Sequence, residues 1–126
     1  MREKAIVDFL FSTGCRVSEC VAVQLCDIDW PNRAVVIHHD KGDKMRIVYF
    51  NAEAEVTLRK YLETRDDECT GLFVTTRKPI HSLSIRSMEV IVNKIGERAG
   101  IPAFPHKIRH TFATYGLNGG MSLEKL

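Results

Sequence analysis

Three clusters of polar side chains fall where no amphipathic pattern needs them. In the first, Thr13-Gly14 breaks the chain and delivers Arg16 to the start of a helix, with Glu19 three residues on and on the same face. In the second, Lys41, Lys44 and Arg46 crowd a short turn and the strand that leaves it. The third is His106-Lys107-Ile108-Arg109-His110, in which His106, Arg109 and His110 share one side of a helix. Two arginines can grip the non-bridging oxygens of a phosphodiester through forked hydrogen bonds. Their charge also offsets the extra negative charge of a pentacoordinate transition state. A histidine beside them can move a proton, and a lysine on a turn can protonate a leaving oxygen. Such a set cleaves a phosphodiester without a metal, and no carboxylate group here has the spacing of a Mg²⁺ site. No cofactor is expected.

These residues need elements to hold them. Residues 2–12 read as a helix with Ile6, Phe9 and Leu10 on its apolar side. A second helix is expected from about Arg16 to Val23, with Val17, Cys20, Val21 and Cys15 inward. Residues 27–50 read as an antiparallel meander: Arg33–His39 and Met45–Phe50 are strands, and 40–44 is the hairpin tip. Asn51 caps a helix to about Thr64, with Val56, Leu58, Tyr61 and Leu62 as its stripe. Residues 72–74 read as a short strand or extended segment and Arg77-Lys78-Pro79 as a turn. A long helix is expected from Ser82 or Ser84 to Ala99, with Met88, Ile91, Val92, Ile95 and Ala99 inward and Gly100 ending it. Another runs from Pro105 to about Leu117, and Ser122 is placed to cap a last one. The fold class is α+β, mainly helical with a small antiparallel three-stranded sheet.

The chain has 126 residues, one domain's worth. With 44% hydrophobic and 27% charged residues, it is neither a disordered tail nor a fibre. No apolar run approaches the roughly 20 residues that span a bilayer, and the N-terminus lacks a small-residue cleavage site. The expectation is a cytoplasmic protein without a membrane partner. Cys15, Cys20, Cys26 and Cys69 form no C-x-x-C pair and read as reduced, buried small hydrophobes. His38 and His39 are adjacent on a strand, face opposite ways and read as structural; no metal site is expected. Trp30 reads as a core or lid aromatic, and Tyr49 and Tyr61 as buried or half-buried ones. Net charge is only +2, but between residues 76 and 110 the basic set Arg77, Lys78, Arg86, Lys94, Arg98, Lys107 and Arg109 meets only Glu89 and Glu97. A polyanion would be drawn there, because each phosphate contact releases counterions. Lys44, Arg46 and this basic set, Arg109 apart, are the candidate contacts to such a polyanion. A solvated helix face is the alternative.

Taken in order, the motifs resemble those of the tyrosine recombinases, the phage-integrase-like enzymes. Thr13-Gly14-Cys15-Arg16-Val17-Ser18-Glu19 resembles their first arginine motif. The segment 40–48 resembles their β-hairpin motif, and residues 105–114 their His-x-x-Arg helix. The resemblance implies a catalytic set of Arg16, Lys41, His106 and Arg109, with Glu19 and His110 in support. It implies a tyrosine attacking the scissile phosphate to form a 3′-phosphotyrosine, and strands exchanging without hydrolysis. It implies double-stranded DNA as partner and other recombinase protomers in a DNA-bound tetramer. Asp40 stands where the family often has glycine. The family's nucleophile follows His-x-x-Arg by a few tens of residues, and Tyr115 comes too soon. The expectation is a catalytic-domain fragment over 1–126 with no nucleophile in this chain, without the nucleophile segment or the helical domain that precedes it. Two alternatives stay open: a non-catalytic DNA-binding module of the same fold, and a metal-independent phosphodiesterase using the histidine.

Overall fold

The structure is a computed structural model that describes residues 2–38 and 44–100. Helix α1 covers Arg2–Thr13 and buries Ala5, Ile6, Phe9, Leu10 and Thr13, the face its periodicity predicts. Thr13 sits inside because its hydroxyl donates to the Phe9 carbonyl at 2.8 Å, so its one polar group is satisfied. Gly14, at φ 69°, ends the helix in a left-handed turn that costs glycine little. Helix α2 is shorter than expected, Val17–Val21. A single 3-10 turn at Leu25–Asp27 follows and carries Cys26 into solvent, not into the core as its composition suggested.

The sheet has the expected order, β1 (Ile28–Asp29), β2 (Ala34–His38) and β3 (Met45–Tyr49), all antiparallel. The β2–β3 register pairs Val35 with Val48 and Ile37 with Arg46, so Arg46 occupies a core-side position. Val35 and Ile37 are fully buried beneath the helices. The opposite sheet face carries Met45, Ile47 and Tyr49, all more than half exposed. Tyr49 is therefore a surface residue, against the expectation, because strand alternation turns it away from Val48.

Helix α3 (Ala52–Glu63) starts on Asn51, whose side chain accepts from the Ala54 amide at 2.8 Å. Its buried stripe is Ala54, Thr57, Leu58 and Tyr61, while Val56 is 51% exposed and Leu62 only partly covered. Thr57 takes the inward place because its hydroxyl donates to the Ala54 carbonyl at 3.1 Å. Residues 72–74 form no strand of the sheet; the Leu72 N–H bonds the Val23 carbonyl, the Phe73 carbonyl takes the Leu83 N–H and Val74 bridges to Ser82, and all three are core. Phe73 is the hub there, edge-on to Phe9 and stacked on Tyr61 with ring centres 5.8 and 5.7 Å away.

Helix α4 (Ile85–Arg98) is capped by the Ser84 hydroxyl, which accepts from the Ser87 amide at 3.1 Å. Met88 and Val92 are fully buried, Ile91 and Ile95 are partly so, and Ala99 is exposed because the helix has already run past the core. Gly100, at φ 74°, ends it as expected. Helix α1 packs on both α3 and α4, and α2 packs on α4 and β2. Of the expected hairpin tip at 40–44, residues 40–43 lie outside the described residues, as do the helix over 105–117 and the cap at Ser122.

Candidate active site

Arg16 is the N-cap of α2, in an extended conformation with φ −79° and ψ 156°. Its side chain is exposed, whereas Cys15 before it and Glu19 after it are buried. The two buried neighbours hold the backbone, and the guanidinium reaches solvent. Glu19 does this directly: its Oε1 accepts from the Arg16 backbone N–H at 2.8 Å. The carboxylate is only 8% exposed and also takes both terminal nitrogens of Arg46, Nη1 on Oε2 and Nη2 on Oε1 at 3.0 Å. This hydrogen bonding to Glu19 raises the pKa of Arg46 above its ordinary value.

The Arg46 guanidinium is thus paired with Glu19, while its side chain remains 38% exposed. Its core-side register in β3 carries its guanidinium to Glu19. The strand's alternation was the available signal: a basic residue facing the core needs a buried acid, and Glu19 is that acid.

Cys15, just before Arg16, and Cys20 in α2 are both buried. A hydrogen bond from Cys20 holds the Cys15 thiol below the usual range, and complete burial pushes Cys20 well above it. At the foot of the hairpin, His38 Nε2 lies 3.0 Å from Asp27 Oδ1, and Asp27 Oδ2 accepts from the Gln24 amide at 2.9 Å. His38 therefore ties β2 to the 3-10 turn, the structural role expected of it. Trp30 lies edge-on to Phe50 with ring centres 5.8 Å apart, and Arg59 covers its face at 4.4 Å.

A second basic surface lies between the 75–81 turn and α4. It is a cleft of about 530 Å³ lined by Arg2, Arg77, Lys78, His81, Arg86 and Val90, among others. Arg2 is committed there, donating to Glu3 at 2.8 Å and to the Val74 carbonyl at 3.1 Å. Arg77, Lys78 and Arg86 are exposed. Sequence reasoning named these three but not Arg2, which is distant in sequence and contributes by the packing of α1 on α4. Lys94 and Arg98 are exposed further along α4, and Lys44 is exposed just before β3. Lys41, His106, Lys107, Arg109 and His110 lie outside the described residues. Among the described residues no three His, Cys, Asp or Glu side chains gather as metal ligands, and no helix is long and apolar enough to cross a membrane.

The sequence matches the phage integrase family over residues 1–126, and the chain belongs to that family. It is 34% identical to the tyrosine recombinase XerA of Thermococcus onnurineus over 99% of this chain and 45% of that protein. It is 37% identical to the tyrosine recombinase XerC of Oceanobacillus iheyensis, over 99% of this chain and 43% of that one. The chain therefore spans a little under half the length of these curated relatives. Among solved structures, a XerA recombinase superposes with a TM-score of 0.85 at 33% identity, over 98% of this chain and 46% of that one. XerH site-specific recombinase, bound to its palindromic difH substrate, superposes at 0.73 with 26% identity, over 94% of this chain and 35% of that one.

Proposed function

We propose that these residues form most of the catalytic body of a site-specific DNA recombinase that cuts and rejoins strands through a 3′-phosphotyrosine. The observation that carries the reading is Arg16. Its guanidinium is exposed while its backbone is anchored by a buried carboxylate, in a chain of the phage integrase family. An anion ligand that must meet a transition state needs that rigidity, because a donor placed in advance costs no reorganisation during reaction.

In this reading Arg16 and Arg109 hold the two non-bridging oxygens of the scissile phosphate. A tyrosine from polypeptide outside residues 1–126 attacks phosphorus, and His106 serves its proton transfer. The bond from phosphorus to the 5′ oxygen breaks, and Lys41 protonates that oxygen. The 5′-hydroxyl of a partner strand then reverses the step on the phosphotyrosine, so one phosphodiester replaces another without ATP. No metal or cofactor takes part. Glu19 and His110 support the phosphate ligands. Lys44, Arg77, Lys78, Arg86, Lys94, Arg98 and Lys107 contact the duplex backbone, where they set affinity and not sequence. Double-stranded DNA is the partner, further recombinase protomers complete a tetramer on it, and the reaction runs in the cytoplasm.

The test is a nicked suicide duplex offered to the whole recombinase polypeptide that carries this domain. A covalent protein–DNA adduct is expected. Arg16→Ala and Arg109→Ala should each lower its rate of formation about 10²–10³-fold, the cost of losing one anion-hole donor. Rates within about threefold of the parent would remove the arginine clamp. Salt-sensitive binding without an adduct would point to a non-catalytic DNA-binding module, and release of free phosphate or nucleotides to a phosphodiesterase.

A further inference from the structure

We propose that Arg46 is a positioning residue for the phosphate ligand Arg16 and acts through Glu19. The inference rests on the reading of Arg16 given above and adds to it the element that locks Arg16 in place.

The geometry is a relay of three residues from three parts of the chain. Arg46 sits in β3, the strand that leaves the hairpin bearing Lys41. Its two terminal nitrogens embrace the Glu19 carboxylate in α2. Oxygen Oε1 of that carboxylate is shared: it takes Arg46 Nη2 at 3.0 Å and the Arg16 backbone N–H at 2.8 Å. A bidentate pair fixes the carboxylate in plane and in rotation, which a single donor does not. With Glu19 only 8% exposed, withdrawing the forked charge from Arg46 leaves a poorly solvated carboxylate. Such a group turns toward water or takes up a proton, and either change weakens its hold on the Arg16 amide. The Arg16 side chain then loses one of the anchors of its starting point, the Glu19 bond to its backbone N–H.

The same relay joins the two elements that must act together on one phosphate. The Arg46–Glu19 ion pair ties the strand following the hairpin to the helix that Arg16 caps. Glu19 alone, at the helix start, explains only a cap; Arg46 explains why the cap is charged and buried.

The rival is that Arg46 itself contacts a DNA phosphate. A double-mutant cycle on the full chain separates the two, read as the salt dependence of binding to a 20-base-pair duplex. Under the positioning reading, Arg16→Ala lowers the slope of log K against log salt by about 0.9, the value of one phosphate contact. Arg46→Met lowers it by a similar amount because Arg16 is released, and the double variant by no more than either. If Arg46 contacts phosphate directly, the double variant loses about 1.8, twice the single value, and the proposal is overturned.

Glu19→Asp guards against a folding artefact. It keeps the charge of the domain but draws the carboxylate back by one methylene, and it should lower the slope as Arg46→Met does. An unchanged slope in Glu19→Asp overturns the proposal. The backbone amide resonance of Arg16 gives a reading without DNA: in both variants its proton should move upfield as the acceptor withdraws. A shifted amide with no effect of Arg16→Ala on DNA binding would reject Arg16 as a phosphate ligand while leaving the relay in place. An amide unmoved in both variants would reject the relay.

Discussion

The basic cleft between the 75–81 turn and α4 is where charge and shape coincide, and its electrostatics can be counted. Arg77, Lys78 and Arg86 line it and are exposed, whereas Arg2 already serves Glu3 and the Val74 carbonyl. If each exposed cation neutralises one phosphate, removing all three lowers the slope of log K against log salt by about 2.7, at about 0.9 each. A fourfold rise in salt, from about 50 to 200 mM, then costs the wild type about 40-fold more affinity than the triple alanine variant. The assay is fluorescence anisotropy of a labelled duplex titrated at four or more salt concentrations. The affinity gap between the two proteins should narrow by that factor as salt rises. Lys60, exposed on α3 and not lining the cleft, is the control, and Lys60→Ala should leave the slope almost unchanged. A slope equally sensitive to Lys60 and to the cleft residues would refute the assignment of this surface, because the attraction would then be diffuse.

Tyr61 is 4% exposed and its hydroxyl accepts from the Val74 amide at 3.1 Å; Tyr61→Phe keeps the stacking on Phe73 but orphans that buried N–H. Urea unfolding should show a loss of about 1–3 kcal/mol with an unchanged m-value. Burial raises the Tyr61 phenol above its ordinary value, so its contribution is complete below about pH 10 and fades as pH climbs through the raised folded value. The gap between wild type and Tyr61→Phe should therefore shrink in strong alkali. Asp67 titrates the other way: the Arg65 guanidinium beside it holds its carboxyl below the usual range. The stability difference between wild type and Asp67→Asn should be constant above about pH 4 and vanish as pH falls through the lowered folded value. Ser84→Ala removes the acceptor of the Ser87 amide, so a thermal melt should register a loss of about 0.5–2 kcal/mol.

Period and punctuation carried much of the fold. Gly14 and Gly100 end helices in left-handed turns, Asn51 and Ser84 cap them, and the meander has the predicted strand order. These are short-range effects, settled by φ, by side-chain reach within three residues and by alternation. Misassignments arose where burial chooses between faces of similar polarity. Val56 and Thr57 exchanged places on α3 because a threonine with a local acceptor is as easily buried as a valine. Cys26 went outward because its turn is too short to have an inner face.

The site divides along the same line. The residue types and their order, Arg16 with Glu19, then the hairpin cations, then His106 with Arg109, are the sequence's case for the proposed phosphodiester chemistry, which needs only side-chain chemistry and near-neighbour spacing to be made. No spacing rule connects residues 19 and 46. Their meeting depends on β3 pairing with β2 in one register and on α2 packing against β2, which place the Arg46 guanidinium at the buried Glu19 carboxylate. Likewise Arg2 joins a cleft built by residues more than seventy positions away because α1 lies against α4. Long-range ion pairs are products of packing, and a one-dimensional pattern holds the charges without saying which of them will touch.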